Sequence, residues 1–206
     1  MRRSELLKAS PPMFESRLLD RFTRVHPVVP VLIYAPAVIA LFATALRRDS
    51  AWDTAALVLA GYLVWTLFEY WLHRVVFHFE PQDGIGARLH WMVHGVHHDH
   101  PNDPMRLVMP PAASIPLAVL VVAAMWEIAG AAHAPGVAAG FLAGYLVYDE
   151  MHYALHHHVP RSRMGKRLRE LHMRHHFQDD ERGFGISAPY WDRVFGTYPK
   201  RERPGA

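Results

Sequence analysis

An all-α polytopic membrane protein, with four transmembrane helices and a cytosolic histidine-rich helical cap, is the fold class this sequence predicts. Three observations carry it. Four apolar runs reach the length of about 18 residues that a helix needs to cross hydrocarbon. Lys and Arg gather in segments that four crossings place on one side of a bilayer, and histidines crowd the ends of the apolar runs on that same side.

The apolar runs lie near 28–46, 54–77, 108–130 and 134–155. Pro30 and Pro36 in the first run, and Pro110, Pro111 and Pro116 in the third, are tolerated because membrane helices re-satisfy freed backbone groups locally. Four such runs leave too little polar sequence to wrap them in a soluble core. The chain therefore divides into an amino-terminal segment, 1–27, and a domain, 28–206, whose cap comes from 78–107 and 156–206. Arg2, Arg3 and Lys8 are not followed by a compact apolar stretch with a small-residue cleavage site, so no removable signal peptide is expected.

Six Lys or Arg precede the first run, two (Arg47 and Arg48) follow it, three (Arg74, Arg88 and Arg106) lie at or beyond the end of the second, and eleven follow the fourth. Twenty of the twenty-two thus fall on one side, which the positive-inside rule makes the cytoplasm. Both termini and the cap are expected there, in the inner membrane if the chain is bacterial. The turn at 131–133 is very short, so the third and fourth runs should form a helical hairpin.

With no cysteine, disulfides, thiolate zinc, iron–sulfur clusters and thiol nucleophiles are excluded, and any metal must be held by nitrogen and oxygen. The net charge of +3 suits either nucleic acid or an anionic membrane surface. The apolar runs decide for the membrane, and no nucleic-acid partner is expected.

Sixteen histidines stand in 206 residues, and all but His26 and His133 fall into four groups. These are HRVVFH (His73, His78), HWMVHGVHHDH (His90, His94, His97, His98, His100), HYALHHH (His152, His156, His157, His158) and HMRHH (His172, His175, His176). On a helix, residues three and four apart share a face. His94 with His97 and His98, His152 with His156, and His172 with His175 and His176 therefore each present imidazoles on one side. The five-residue spacing of His73 and His78 is off-register for an α-helix and calls for a helix end or a local widening. All four groups emerge on the cytoplasmic side.

A catalytic zinc takes three protein ligands and a structural one four. About ten well-spaced imidazoles therefore imply two metal ions. Imidazole suits zinc, copper, iron and nickel alike. Glu69, Asp99, Asp149, Glu150 and Glu170 sit beside the histidines, and are read either as acceptors that orient ligating imidazoles or as solvated interfacial carboxylates. A metal pair opening toward apolar helices points to chemistry on a lipid tail. Attack on an unactivated C–H bond needs a strong oxidant, and iron with dioxygen supplies one. A metal transporter or sensor fits less well, because transporters bind ions near the bilayer midplane.

The stretches HRVVFH, HGVHHDHPNDPMRLVMPP, YDEMHYALHH and LHMRHHFQDDERGFGISAPYWDRVFGT resemble the fatty acid hydroxylase superfamily, and within it most the fatty acid 2-hydroxylases. RLVMPP and the GFGIS...WDRVFGT tail separate this branch from sterol desaturase relatives. The resemblance implies His73, His78, His94, His97, His98, His152, His156, His172, His175 and His176 as metal ligands, with no catalytic residue beyond them. His90, His100, His157 and His158 fall outside the pattern.

It further implies two iron ions, with zinc able to take their place on purification, dioxygen as co-substrate, and a membrane lipid as substrate, hydroxylated on its acyl chain at carbon 2. A desaturase, or a sterol or carotenoid hydroxylase, of the same superfamily is the alternative. About 27 residues precede the first run, so electrons are expected from a separate cytochrome b5-like or ferredoxin-type protein. The run Arg161, Arg163, Lys166, Arg167 and Arg169 would dock it or hold anionic headgroups. The aromatic carboxy segment is read as a lid or wall, with Trp191 and Phe195 as packing residues.

Overall fold

In the computed structural model, which describes residues 2–200, every regular element is helical. Short helices α1 (Arg3–Leu6) and α2 (Arg17–Phe22) precede two long ones, α3 (Val28–Leu46) and α4 (Ala51–Trp71). The Ser50 hydroxyl caps α4 by accepting from the Asp53 amide at 3.1 Å. A π-helical turn, Leu72–Phe77, prolongs α4. Then come α5 (Gly84–His90), a second π-helical turn (Trp91–Gly95), α6 (Val96–Asp99), α7 (Pro111–His157), α8 (Arg163–Phe177) and α9 (Tyr190–Val194).

Three helical stretches are long and apolar enough to cross a membrane: Val28–Leu46, Ala51–Phe77 and Pro111–His157. Two spans with a turn at 131–133 are predicted from the sequence where the structure has α7. That 47-residue stretch is two helices joined at Gly130, whose φ of 71° and ψ of 163° are non-helical, one residue before the predicted turn. A side chain at that φ would be strained, whereas glycine adopts it freely. The arms 111–129 and 131–157 fold back on each other, since the Met109 amide donates to Asp149 Oδ1 at 3.2 Å. A straight helix would hold those residues about 60 Å apart.

The second arm lies against α4 across a stripe the sequence reading passed over, Gly136, Gly140 and Gly144. A Cβ on Gly140 would sit 1.9 Å from the Val58 carbonyl oxygen, and one on Gly61 would sit 1.9 Å from that of Val137. The two backbones touch because neither helix has a side chain there, the usual device for gaining van der Waals contact where lipid removes the hydrophobic drive. Beside the stripe, Trp65 packs edge-on against Phe141 at 5.2 Å, and Tyr34 against Tyr145 at 4.8 Å. Leu32, Ile39, Leu59, Leu63, Val119, Leu120 and Ile128 point outward, as a lipid-facing surface requires. Gly140→Ala should separate the helices and cost about 1–3 kcal/mol or more, read as a lowered Tm in detergent.

At the other end, the amino-terminal segment packs onto the loop before α7. Arg106 is buried, pairs with Asp20 at 2.8 Å and donates to the Pro11 carbonyl. The Asn102 amide donates to Leu7 O at 2.9 Å, and Val25 to Met105 O at 2.6 Å. The RLVMPP stretch thus fastens residues before α3 to the layer that carries the histidines.

Candidate metal centre

The two π-helical turns place the first histidines. An α-helix would turn residues five apart away from each other, but the wider turn bonds i to i+5, and the His78 amide donates to the His73 carbonyl at 3.1 Å. His73 and His78 thereby face the same way, which is the local widening their spacing requires. The second π-helical turn carries His94 and leads into α6 with His97 and His98. The end of α7 supplies His152 and His156, and α8 supplies His172, His175 and His176.

These ten converge as two sets of five, each with its nearest nitrogens within 4.8 Å of one another: His73, His78, His94, His98 and His175, and His97, His152, His156, His172 and His176. The two HxxHH stretches are split between the sets. In each, the i,i+4 pair serves one set and the i+3 histidine the other, so the shared helix face expected for His94, His97 and His98 resolves into two faces. The sets abut, with His98 and His176 ring centroids 4.3 Å apart.

The nitrogens that approach one another are all Nε2. In the first set, His73 to His94 is 3.2 Å, His94 to His78 3.2 Å, His98 to His94 3.0 Å and His78 to His175 3.1 Å. In the second, His152 to His97 is 3.0 Å, His156 to His172 2.7 Å and His176 to His172 3.2 Å. Two nitrogens bound at right angles to one ion at about 2.1 Å stand about 3.0 Å apart.

Protonation does not account for the packing. His73 Nδ1 donates to Phe184 O at 2.8 Å and His175 Nδ1 to Arg182 O at 2.7 Å. A carbonyl only accepts, so in each neutral ring Nε2 carries a bare lone pair. Burial, reinforced by neighbouring imidazoles, pushes His78 down to about 3 and holds His94, His97, His98, His172 and His176 far below the usual histidine range. Burial also lowers His175, to about 4, against the opposing pull of its carbonyl partner. Neutral rings with lone pairs crowded at this distance fit a cation at the centre of each set.

The sign of the pH effect follows. The folded cage binds fewer protons than the unfolded chain below about pH 6.5, so stability falls as pH drops through that value toward 4 and 3. Chelator-stripped protein should lose Tm steeply below pH 6.5, and added metal should move that loss to lower pH. Melting curves across pH, with and without metal, check this.

Several neighbouring carboxylates serve elsewhere. Glu69 accepts from the Ser187 amide at 2.7 Å and from its hydroxyl, Asp149 from Met109 N and Tyr145 OH, and Asp99 from Trp91 Nε1. Glu170 pairs with Arg167 and Arg174. The groups seen orienting imidazoles are backbone carbonyls of the carboxy segment. His90 bonds Phe77 O at 2.7 Å and His100 bonds Leu6 O at 2.7 Å, away from both sets. His157 packs at a tilt against Tyr153, with ring centroids 4.4 Å apart, and His158 is exposed. Trp191 and Phe195 pack as expected, Phe195 stacking on Tyr70 at 4.9 Å.

Between α4 and both arms of α7 lies a narrow apolar crevice of about 20 Å³. Leu72, adjacent to His73, lines it together with Phe68, Met109, Ala118, Leu142 and Tyr145. Leu142 and Tyr145 precede His152 by two to three turns on the same arm.

This combination has relatives. The model of the fatty acid hydroxylase family matches residues 58–197. The chain is 38% identical over 191 residues to the dihydroceramide fatty acyl 2-hydroxylase FAH2 of Arabidopsis thaliana, covering 92% of this chain and 80% of that protein. It is 38% identical over 207 residues to the ceramide very long chain fatty acid hydroxylase SCS7 of Saccharomyces cerevisiae, covering 96% of this chain and 52% of that one. A solved structure of full-length scs7p, with only the hydroxylase domain visible, superimposes with a TM-score of 0.88 at 35% identity, over 97% of this chain and 75% of that chain. Fold, motif order and sequence agree, and the chain belongs to the fatty acid hydroxylase family of oxidoreductases.

Proposed function

We propose that this chain is a di-iron, dioxygen-dependent monooxygenase that hydroxylates a lipid acyl chain at carbon 2 of a fatty acid or sphingolipid acyl group. The observation that carries the reading is the convergence of ten histidines into two five-histidine sets at the ends of membrane-type helices, with Leu72, next to His73, lining the apolar crevice between those helices. The fatty acyl chemistry in the names that the two relatives FAH2 and SCS7 bear supports the substrate class.

The ten histidines would hold the ions, and iron supplies the activation of dioxygen that an unactivated C–H bond demands. Zinc fits the same nitrogens but has no redox chemistry. The crevice would part to take the tail and exclude water from it, leaving the polar head at the interface. Ser114 and Tyr145 are the polar groups among its apolar lining residues. The overall change consumes a C–H bond, dioxygen, two electrons and two protons, and yields a C–OH bond and water.

The reading places four helical crossings, counting each arm of α7 as one, with both termini and the cage in the cytoplasm. The Lys and Arg distribution supports that orientation. Residues 28–206 form the hydroxylase domain, with the cap from 78–107 and 156–206 and the amino-terminal segment fastened to it. A separate acidic electron-transfer protein docks on α8, where Lys166, Arg169 and Arg174 line a surface hollow on the helix that also carries His172, His175 and His176. Lys166→Glu with Arg169→Glu should slow turnover about tenfold at low salt and less at high salt, where such steering is screened. Equal turnover in detergent at both salt concentrations would sink the docking site.

The test of the function is lipid mass spectrometry on cells supplied with labelled dioxygen, expressing this chain or its His175→Ala variant. A labelled 2-hydroxy acyl lipid with the wild-type chain alone is the expected result. Unlabelled or desaturated product from iron-loaded protein with a working donor would overturn it.

A further inference from the structure

The loop that holds two imidazoles in place is itself held by one buried carboxylate that the sequence reading overlooked. Asp192 has no exposed surface. Its Oδ1 accepts from the Phe184 amide at 2.9 Å and the Thr197 hydroxyl at 2.8 Å, and its Oδ2 from the Gly185 amide at 2.9 Å. Thr197 bonds in turn to Tyr70 OH at 2.8 Å, in the last turn of α4 before His73. The Phe184 peptide is thus gripped at its own amide and at the next one, which fixes where its carbonyl points. That carbonyl receives His73 Nδ1.

Local chain geometry agrees. Gly183 has φ of +83°, and a Cβ there would lie 2.8 Å from Pro199 and 3.4 Å from His175. A Cβ on Gly185 would meet the Ala188 carbonyl oxygen at 2.5 Å. The sequence Gly-Phe-Gly makes the turn that presents the Arg182 and Phe184 carbonyls to His175 and His73. The Phe184 ring lies 5.6, 5.3 and 5.8 Å from those of His73, His78 and His175. Each imidazole this loop bonds or touches belongs to the first set. In the second, Nδ1 of His156, His172 and His176 has no hydrogen-bonding partner among the described residues.

We propose that Asp192 is a positioning residue for the metal site of His73, His78, His94, His98 and His175, and for that site alone, acting through the carbonyl of Phe184. The proposal rests on the reading that each histidine set holds an ion. Groups that orient a metal's ligands typically govern affinity by about 10- to 100-fold, so the two ions should differ in their response to this residue.

The experiment measures metal per chain, and the rate of metal loss to a chelator, in purified protein. Wild type should carry two ions. Asp192→Ala should lose one of them, and adding His156→Ala should remove the other, whereas adding His73→Ala should remove nothing more. Asp192→Asn keeps the size and one accepting oxygen, and should speed release of one ion about tenfold or more with the second unchanged. Two ions released from Asp192→Ala at wild-type rates would overturn the proposal. So would a remaining ion that depends on His73, or loss of both ions, or of the fold, in both Asp192 variants, since the carboxylate would then be holding the domain and not one site. Fewer than two ions in the wild type would instead strike the two-metal reading itself.

Discussion

Alanine at His156 or at His175 is expected to lower hydroxylation at least about a thousandfold, although the two residues belong to different sets. The ions supply several kcal/mol of stabilisation to the reacting centre, and each 1.36 kcal/mol is tenfold in rate. Both sets are required if the two ions act together, so either variant should be inactive while keeping one ion. His158→Ala is the matched comparison, since that exposed histidine belongs to neither set. Its turnover and metal content should match the wild type. Metal analysis alongside turnover separates this from unfolding, because a misfolded protein would lose both ions together. Substantial activity in His156→Ala would mean that the second set is structural.

A second large effect is expected in the crevice. Ala118→Trp places an indole where a tail would run, between the arms of α7 and beside Phe68 and Leu142. Excluding three or four methylenes, at about 0.8 kcal/mol each, should cost about 100-fold in kcat/KM for a long acyl chain. Short chains that end before the block should be spared. Ala118 touches neither histidine set in sequence or in the lining of the cage, so two ions should remain. Product analysis with acyl chains of graded length gives the answer, and a uniform loss at every length would place the tail somewhere else.

The histidine groups were legible because helical spacing is a local property, imidazoles at i and i+4 sharing a face whatever surrounds them, and the family resemblance narrowed them to ten ligand candidates. The spacing of His73 and His78 was informative for the same reason, since five residues fit a helix end or a widened turn, and a π-helical turn is found there. Sorting the ten into two sets was not legible. His97 and His98 are neighbours in sequence, and which one faces the end of α7 depends on how α6 is set against α7 and α8, a long-range matter.

The carboxylates misled for a related reason. Glu69 stands one turn before His73, but its partner, Ser187, is 118 residues away. Adjacency in sequence says little about where a buried acid finds its donors. Asp192 carried a weak signal, an acid inside the aromatic stretch GFGISAPYWDRVF, where a charge must find partners if it is buried. The GVAAGFLAG spacing of small residues was a stronger one, and it announced the close contact of α4 with α7.

The sequence by itself determined that the chain is helical, that its apolar stretches suit a membrane, and that any metal it holds must be bound by nitrogen and oxygen. Those follow from composition, period and the absence of thiols, all of which act locally or additively. Only the tertiary structure decided that the histidines divide five and five and that backbone carbonyls orient two of them. Each of those depends on the partner a group meets across the fold, and a linear pattern constrains which groups need partners far more tightly than it constrains which partners they find.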